Sequence, residues 1–321
     1  MDQTPDRRSH HKSVKTGDNA GVPVEPASVL LPGPWTHRDV STNGTRLHIA
    51  ECGEGPLVLL VHGFPEFWWS WRHQLTALAD AGYRAVACDL RGYGASDKPP
   101  RGYDIFTLSA DLAGLIRALG ERRAILAGQD CGGFLAWATA ALHPHAVSRL
   151  VVSGSAHPLR MRQAIFGELK GQLRASSYIV DFQLPWRPER RLVRDGALMV
   201  GDLLHEWGGP GFPDSETETR NRQAMQIPGV AHSSMEYFRW IFRSMFRPDG
   251  WRMIHSMRDL VTVPTLQLHG QLDPCVLPET AQGSGEYVAA PYSWRPLAGL
   301  GHFPHQEAPD TFNRELLDWL R

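Results

Sequence analysis

The residues best suited to covalent chemistry are Leu126-Ala127-Gly128-Gln129-Asp130-Cys131-Gly132-Gly133. An apolar, strand-like run leads straight into a small-x-Asp-x-small-small turn and then a helix-like run. That arrangement exposes a nucleophile at the apex of a sharp strand-to-helix turn. Gly128, Gly132 and Gly133 let such a turn close and leave its apex side chain accessible. A carboxylate that merely caps a helix would account for Asp130, but capping has no use for three flanking glycines. Cys131 competes as the nucleophile, because a thiolate is stabilised at a helix N-terminus. Placing Cys131 at the apex, however, would put Gln129 where a small residue is needed. No GxSxG occurs elsewhere, which argues against a serine esterase.

Three further motifs supply what such a nucleophile requires. Val61-His62-Gly63-Phe64-Pro65-Glu66 ends an apolar run, where the backbone N–H of Phe64 can join that of Cys131 as an oxyanion donor. Gly270-Gln271-Leu272-Asp273-Pro274 and Gly299-Leu300-Gly301-His302-Phe303-Pro304-His305 follow, each just past a strand-like run. The order nucleophile, acid, histidine is that of one class of hydrolytic triad. With 15 histidines in the chain, any one of them is by default a surface or structural residue. His302 escapes that default through its position, and His305 does not.

The elements that must position these residues read as follows. WTHRDVSTNGTRLHIAEC is a hairpin about Asn43-Gly44, and PLVLLVHG is a buried strand. A helix over 67–81, the strand RAVACDL, a helix over 107–119, the strand RAILAG, a helix from 131 that ends by Pro144, and the strand RLVVSG come next. Alternation of this kind predicts a parallel sheet covered on both faces. It stops near Pro158 and resumes at PTLQLHG, with a helix over 278–288, a strand over 292–297 and the closing helix TFNRELLDWL. The expected organisation is a mobile tail over 1–33, a core over 34–158 and 256–321, and a helical lid over 159–255.

Composition narrows the function classes. A 321-residue chain that is 42% hydrophobic and 21% charged is globular, and a formal charge of −1 gives no general attraction to nucleic acid. Cys52, Cys88, Cys131 and Cys275 show no CxxC and no metal-ligand spacing, so a reduced interior with no metal and no cofactor is expected. No apolar stretch has membrane-spanning length and no secretory leader pattern opens the chain, so the expectation is a cytoplasmic protein. A homo-oligomer is compatible with all of this.

Across 35–321 the chain resembles the epoxide hydrolases of the α/β-hydrolase fold, with the nearest likeness to the actinobacterial epoxide hydrolase E type. HGFPEFWWSWRHQL, DLRGYGASDKPPRGYD, GQDCGG, YIVDFQLP, GQLDP and GHFPHQEAP carry the likeness. It implies a mostly parallel eight-stranded sheet flanked by helices, with an inserted helical lid. It also implies Asp130 as nucleophile, His302 with Asp273 as the hydrolytic base, Phe64 and Cys131 as oxyanion donors, and lid tyrosines as proton donors. Tyr178 stands at the family's spacing before Phe182-Gln183. At the second lid position Phe238 precedes Arg239, and Tyr237 lies one residue earlier. Trp68, Phe182, Phe238 and Phe303 are expected to bind substrate.

The chemistry fits an aspartate. Displacement at a saturated carbon by serine would leave an ether, whereas a carboxylate leaves an ester that activated water can hydrolyse. A phenol can protonate the alkoxide released on ring opening. The implied partners are a small apolar epoxide and water, and the lid aromatics Phe182, Trp186, Trp207, Trp240, Phe242 and Phe246 favour an apolar substrate. Phe238, Phe242 and Phe246, spaced as on one helix face, also suit packing within the lid. A dehalogenase shares the Asp–His logic, but Cys131 stands where those enzymes commonly use an indole N–H to hold halide. A non-catalytic, hydrolase-like binding protein would not need the full set of Asp130, Asp273 and His302.

Overall fold

The computed structural model describes residues 23–167 and 171–321. β1 (Thr36–Thr42) and β2 (Thr45–Cys52) form the hairpin, with Asn43 and Gly44 at positive φ in its turn. β3 (Leu57–Val61), α1 (Arg72–Asp80), β4 (Arg84–Cys88), α2 (Ile105–Ala118), β5 (Ala124–Gln129), α3 (Asp130–Leu142) and β6 (Val147–Ser153) follow in alternation. The helices α4 (Pro158–Gly167), α5 (Gln172–Ala175), α6 (Tyr178–Asp181), α7 (Arg187–Trp207), α8 (Ser215–Met225), α9 (Val230–Ser244) and α10 (Pro248–Ser256) then intervene. The chain closes with β7 (Thr265–Gly270), α11 (Pro278–Gln282), β8 (Tyr292–Leu297), α12 (Pro304–Glu307) and α13 (Pro309–Leu320).

The eight strands form one sheet in the order β1-β2-β4-β3-β5-β6-β7-β8. It is antiparallel at β1–β2 and β2–β4 and parallel from β4 onward. Every residue of β3, β5 and β7 is buried, as continuous apolar runs covered on both faces require. β3 and β5 are neighbours, so the Phe64 turn and the Asp130 turn emerge side by side at the same sheet edge. The loops after β7 and β8 bring Asp273 and His302 to that edge.

Two expectations change. Residues 23–33 fall within the stretch expected to be a mobile tail, yet they dock on the core: 26–29 form a 3-10 turn, and Val29 and Leu31 are buried. The carbonyl of Val29 accepts the Trp68 indole N–H at 2.8 Å, a long-range partner that local composition cannot reveal. The same expectation for residues 1–22 lies outside the described residues. Second, the helix expected over 67–81 opens as a 3-10 turn over Trp68–Trp71 before α1 begins. Among the described residues no helix is long and apolar enough to cross a membrane.

Candidate active site

Asp130 is the first residue of α3 and has φ 48°, a left-handed conformation that a non-glycine residue adopts only where its surroundings enforce it. They do so through glycines. A Cβ on Gly128 would collide with the Gly132 carbonyl, and one on Gly132 would collide with the carbonyls of Val61 and His62. Strand, turn and helix can therefore close only because these positions lack side chains.

The strained turn presents a carboxylate held at one oxygen and faced by the imidazole at the other. Oδ2 accepts the Phe64 N–H at 2.9 Å, and Oδ1 lies 3.5 Å from Nε2 of His302. The N–H of Cys131 belongs to the first turn of α3, where backbone donors lack intrahelical acceptors. Nδ1 of His302 lies 2.8 Å from Asp273 Oδ2. The other Asp273 oxygen accepts the N–H groups of Cys275 and Val276 at 2.8 and 3.0 Å.

Electrostatics follow from this geometry. Burial opposes a charge on His302, but Asp273 and Asp130 outweigh it and hold the imidazole well above its ordinary range. Burial likewise opposes ionisation of Asp273, and the His302 charge and hydrogen bond overcome it, so this carboxylate is pulled below its usual range. The imidazole is thus fixed with one ring nitrogen on Asp273 and the other facing Asp130. Its loop is clamped as well: the His302 N–H donates to the Trp207 carbonyl at 2.9 Å, and Gln129 donates to the His302 carbonyl at 3.0 Å. Glu307 accepts from the N–H groups of Gly209, Gly301 and Phe303.

A cavity of about 70 Å³ opens beside Asp130, walled in part by Tyr178, Phe134, Phe238, Ile179 and Val276. Burial, reinforced by the nearby Cys275 and Asp130, pushes the Tyr178 phenol well above its usual range, so it holds its proton. Among the described residues its hydroxyl has no hydrogen-bond partner. A protonated phenol, a carboxylate and an apolar wall share one small space.

The sequence-predicted residues divide into two groups. Asp130, His302, Asp273, Phe64, Cys131, Tyr178 and Phe238 meet at this cavity or its rim. Phe182 joins the aromatic layer behind it, against Phe64, Tyr178 and Phe238. Tyr237 does not join them: its hydroxyl donates to the Arg91 carbonyl at 2.7 Å and its ring packs on Tyr93 and Tyr103, so its proton is already committed. Trp68 is buried in the core against Trp35, His37 and Phe67, not in the cavity. Phe303 packs between Phe212 and His302, where it supports the imidazole and not a substrate. Trp186 and Phe246 are exposed on the surface. His305 is buried against Trp71, and burial keeps it neutral.

Sequence reasoning named Trp207 only as one of several lid aromatics; its ring meets Tyr178 at 5.2 Å and His302 at 5.7 Å. It read Cys275 as an ordinary thiol, yet that residue lies on the cavity wall. Glu307, within the motif GHFPHQEAP, was the one readable hint of the loop clamp.

Residues 56–309 match the α/β-hydrolase-fold family. The chain is 33% identical to epoxide hydrolase 4 of Homo sapiens, over 92% of this chain and 82% of that protein. It is 31% identical to epoxide hydrolase A of Mycobacterium tuberculosis, over 90% of this chain and 98% of that protein. The crystal structure of epoxide hydrolase A from Mycobacterium thermoresistibile superposes with a TM-score of 0.76 at 30% identity, covering 89% of this chain and 98% of that one. Fold, site layout and likeness over nearly the whole length converge: the chain belongs to the epoxide hydrolase family of the α/β-hydrolase fold.

Proposed function

We propose that this enzyme opens a small apolar epoxide to a vicinal diol through an ester on Asp130. The observation that carries the reading is the placement of a half-buried, proton-holding Tyr178 in the same cavity as a carboxylate whose Oδ2 already occupies the Phe64 N–H. Oδ1, the oxygen not bound to that backbone donor, attacks a ring carbon. The carbon–oxygen bond of the epoxide breaks, and Tyr178 donates its proton to the alkoxide. Oδ2 becomes the ester carbonyl oxygen and is already in its oxyanion site.

Hydrolysis then requires a neutral His302. Esterification removes the Asp130 charge, one of the two that hold the imidazole protonated, so forming the intermediate itself favours release of the Nε2 proton. Nε2 takes a proton from water as that water attacks the ester carbonyl. The N–H groups of Phe64 and Cys131 stabilise the oxyanion, and Asp273 holds the resulting imidazolium. On collapse the departing diol oxygen takes the proton of the Asp130 acid, which returns as a carboxylate carrying one oxygen from water, and the proton shed by Nε2 before hydrolysis restores the Tyr178 phenol.

Residues 159–255 serve as the lid that supplies Tyr178 and the apolar wall, set between core segments 34–158 and 256–321. All four thiols are free, which fits a reducing compartment such as the cytoplasm. The test is a single-turnover reaction in oxygen-labelled water followed by peptide mass analysis. Label in Asp130 is the expected result; label only in the diol after the first turnover would refute the covalent route.

A further inference from the structure

We propose that Asp273, Cys275 and His302 bind a thiophilic divalent cation of the Zn²⁺ and Cd²⁺ class, and that its binding arrests the enzyme at the ester stage. The second half of this statement rests on the reading of Asp130 as nucleophile. In sequence these residues have no metal-ligand spacing, but the loops after β7 and β8 bring one ligand atom from each to within 4.8 Å of the others, all buried. A carboxylate oxygen, a thiolate and an imidazole nitrogen are three ligands of a tetrahedral zinc site, with water as the fourth. Cys275 and Asp130 line the same cavity, which gives a cation a route in and the fourth ligand a place.

Charge balance favours occupation. Binding displaces the Cys275 thiol proton and any proton on Nδ1 of His302, and a dication held by a carboxylate, a thiolate and a neutral imidazole makes a set of zero net charge. No unbalanced charge enters a buried site, where it would be costly. The thiolate and imidazole select zinc or cadmium over magnesium, which prefers oxygen ligands.

The nitrogen used decides the consequence. Nδ1 faces Asp273 and takes the metal, so the remaining proton sits on Nε2, facing Asp130. Such an imidazole has no lone pair to offer water. Ring opening needs only Asp130 and the Tyr178 proton, so the ester forms and then persists.

The binding arm uses metal-stripped Cys52→Ser protein without substrate, since Cys52 is the one thiol that is not buried. Titration with Cd²⁺ is followed by the ultraviolet charge-transfer absorption of the cadmium–thiolate bond. One equivalent is expected to bind, with the band kept in Cys131→Ser. In Cys275→Ser the band should vanish and the affinity fall by at least about tenfold; Cys275→Ala serves if the serine variant misfolds. An absent band, or an unchanged band and affinity in the Cys275 variants, overturns the site. In the second arm an epoxide is added with Zn²⁺ and intact mass is read. An ester adduct is expected with Zn²⁺ and not with Mg²⁺. If Zn²⁺ gives no adduct while His302→Gln does, the arrest is refuted. If neither gives one, the covalent reading has failed and the metal site stands on the cadmium band.

Discussion

Proton traffic at single residues decides the outcome of each half-reaction. His302→Gln removes the base but leaves Asp130 and Tyr178 in place, so ring opening should proceed and the ester should accumulate. Intact mass spectrometry is expected to show the adduct, with turnover lowered by about 10⁶-fold, as for removal of a triad histidine; normal turnover would exclude His302 as the base. Tyr178→Phe should slow alkylation by about 10²- to 10⁴-fold in pre-steady-state measurements while sparing ester hydrolysis. Tyr237→Phe should differ in kind. Its hydroxyl serves the buried Arg91 carbonyl, so the expected loss is about 1–2 kcal/mol of stability by denaturant titration, with alkylation little changed. Glu66 supplies a pH test. Burial pushes its carboxyl up to about 8 from an ordinary 4.5, and Gln306 donates to one of its oxygens. The folded state thus keeps a proton that the unfolded chain releases above pH 4.5, so stability should fall as pH rises from about 4.5 to about 8 and level off beyond. Glu66→Gln cannot ionise, so thermal midpoints across that window should flatten; an unchanged slope would rule out this account.

At the scale of elements, the turn between β5 and α3 is the feature on which the site depends. Gly132→Ala would drive a methyl group into the carbonyls of Val61 and His62 at the end of β3. The expected cost is about 1–3 kcal/mol, accompanied by loss of the Phe64–Asp130 hydrogen bond and of activity. Gly167→Ala, with nothing within 4 Å, should leave the melting temperature and activity unchanged. This turn was legible in the sequence because its rule is local: three glycines around one acidic residue are needed by its own backbone. The strands were legible for a similar reason, since continuous apolar runs bounded by turn residues have few other uses. The helices between β6 and β7 were legible only as helical in general. α7, for example, carries left-handed residues at Asp195, Gly196 and Ala197, a break that Gly196 alone could hint at. Tyr237 was misplaced because a one-residue offset on α9 turns a side chain by about 100°, here toward Arg91 and away from the cavity. Trp68 was misplaced because its motif lies near the site in sequence, while its indole partner, Val29, comes from a segment without any periodic signal.

That last contact raises a question for the whole molecule: what the N-terminal arm contributes to an enzyme whose chemistry lies elsewhere. Val29 is 2% exposed and Leu31 8%, and each buried side chain of this size is worth about 1.5–3 kcal/mol against exposure. Three ring donors or acceptors also end on the arm: the Trp68 indole on the Val29 carbonyl, and the Trp35 indole and His37 ring on that of Leu31. Removing the arm leaves the Trp68 N–H without its partner in the core, at a further cost of about 1–3 kcal/mol. One arm thus anchors both the hairpin of β1 and β2 and the Trp68 turn that precedes α1. None of these partners lines the cavity beside Asp130. Deletion of residues 1–32 should accordingly lower the melting temperature, by at least about 2 °C from the stranded Trp68 N–H alone. Turnover measured well below that temperature should stay within about twofold of the full chain, as expected of changes remote from the chemistry. Trp68→Phe should reproduce part of the thermal loss, since it removes the donor but keeps an aromatic ring. A deletion variant that melts normally would show that the arm merely rests on the core, whereas one that melts normally but loses turnover would place the arm in control of the site.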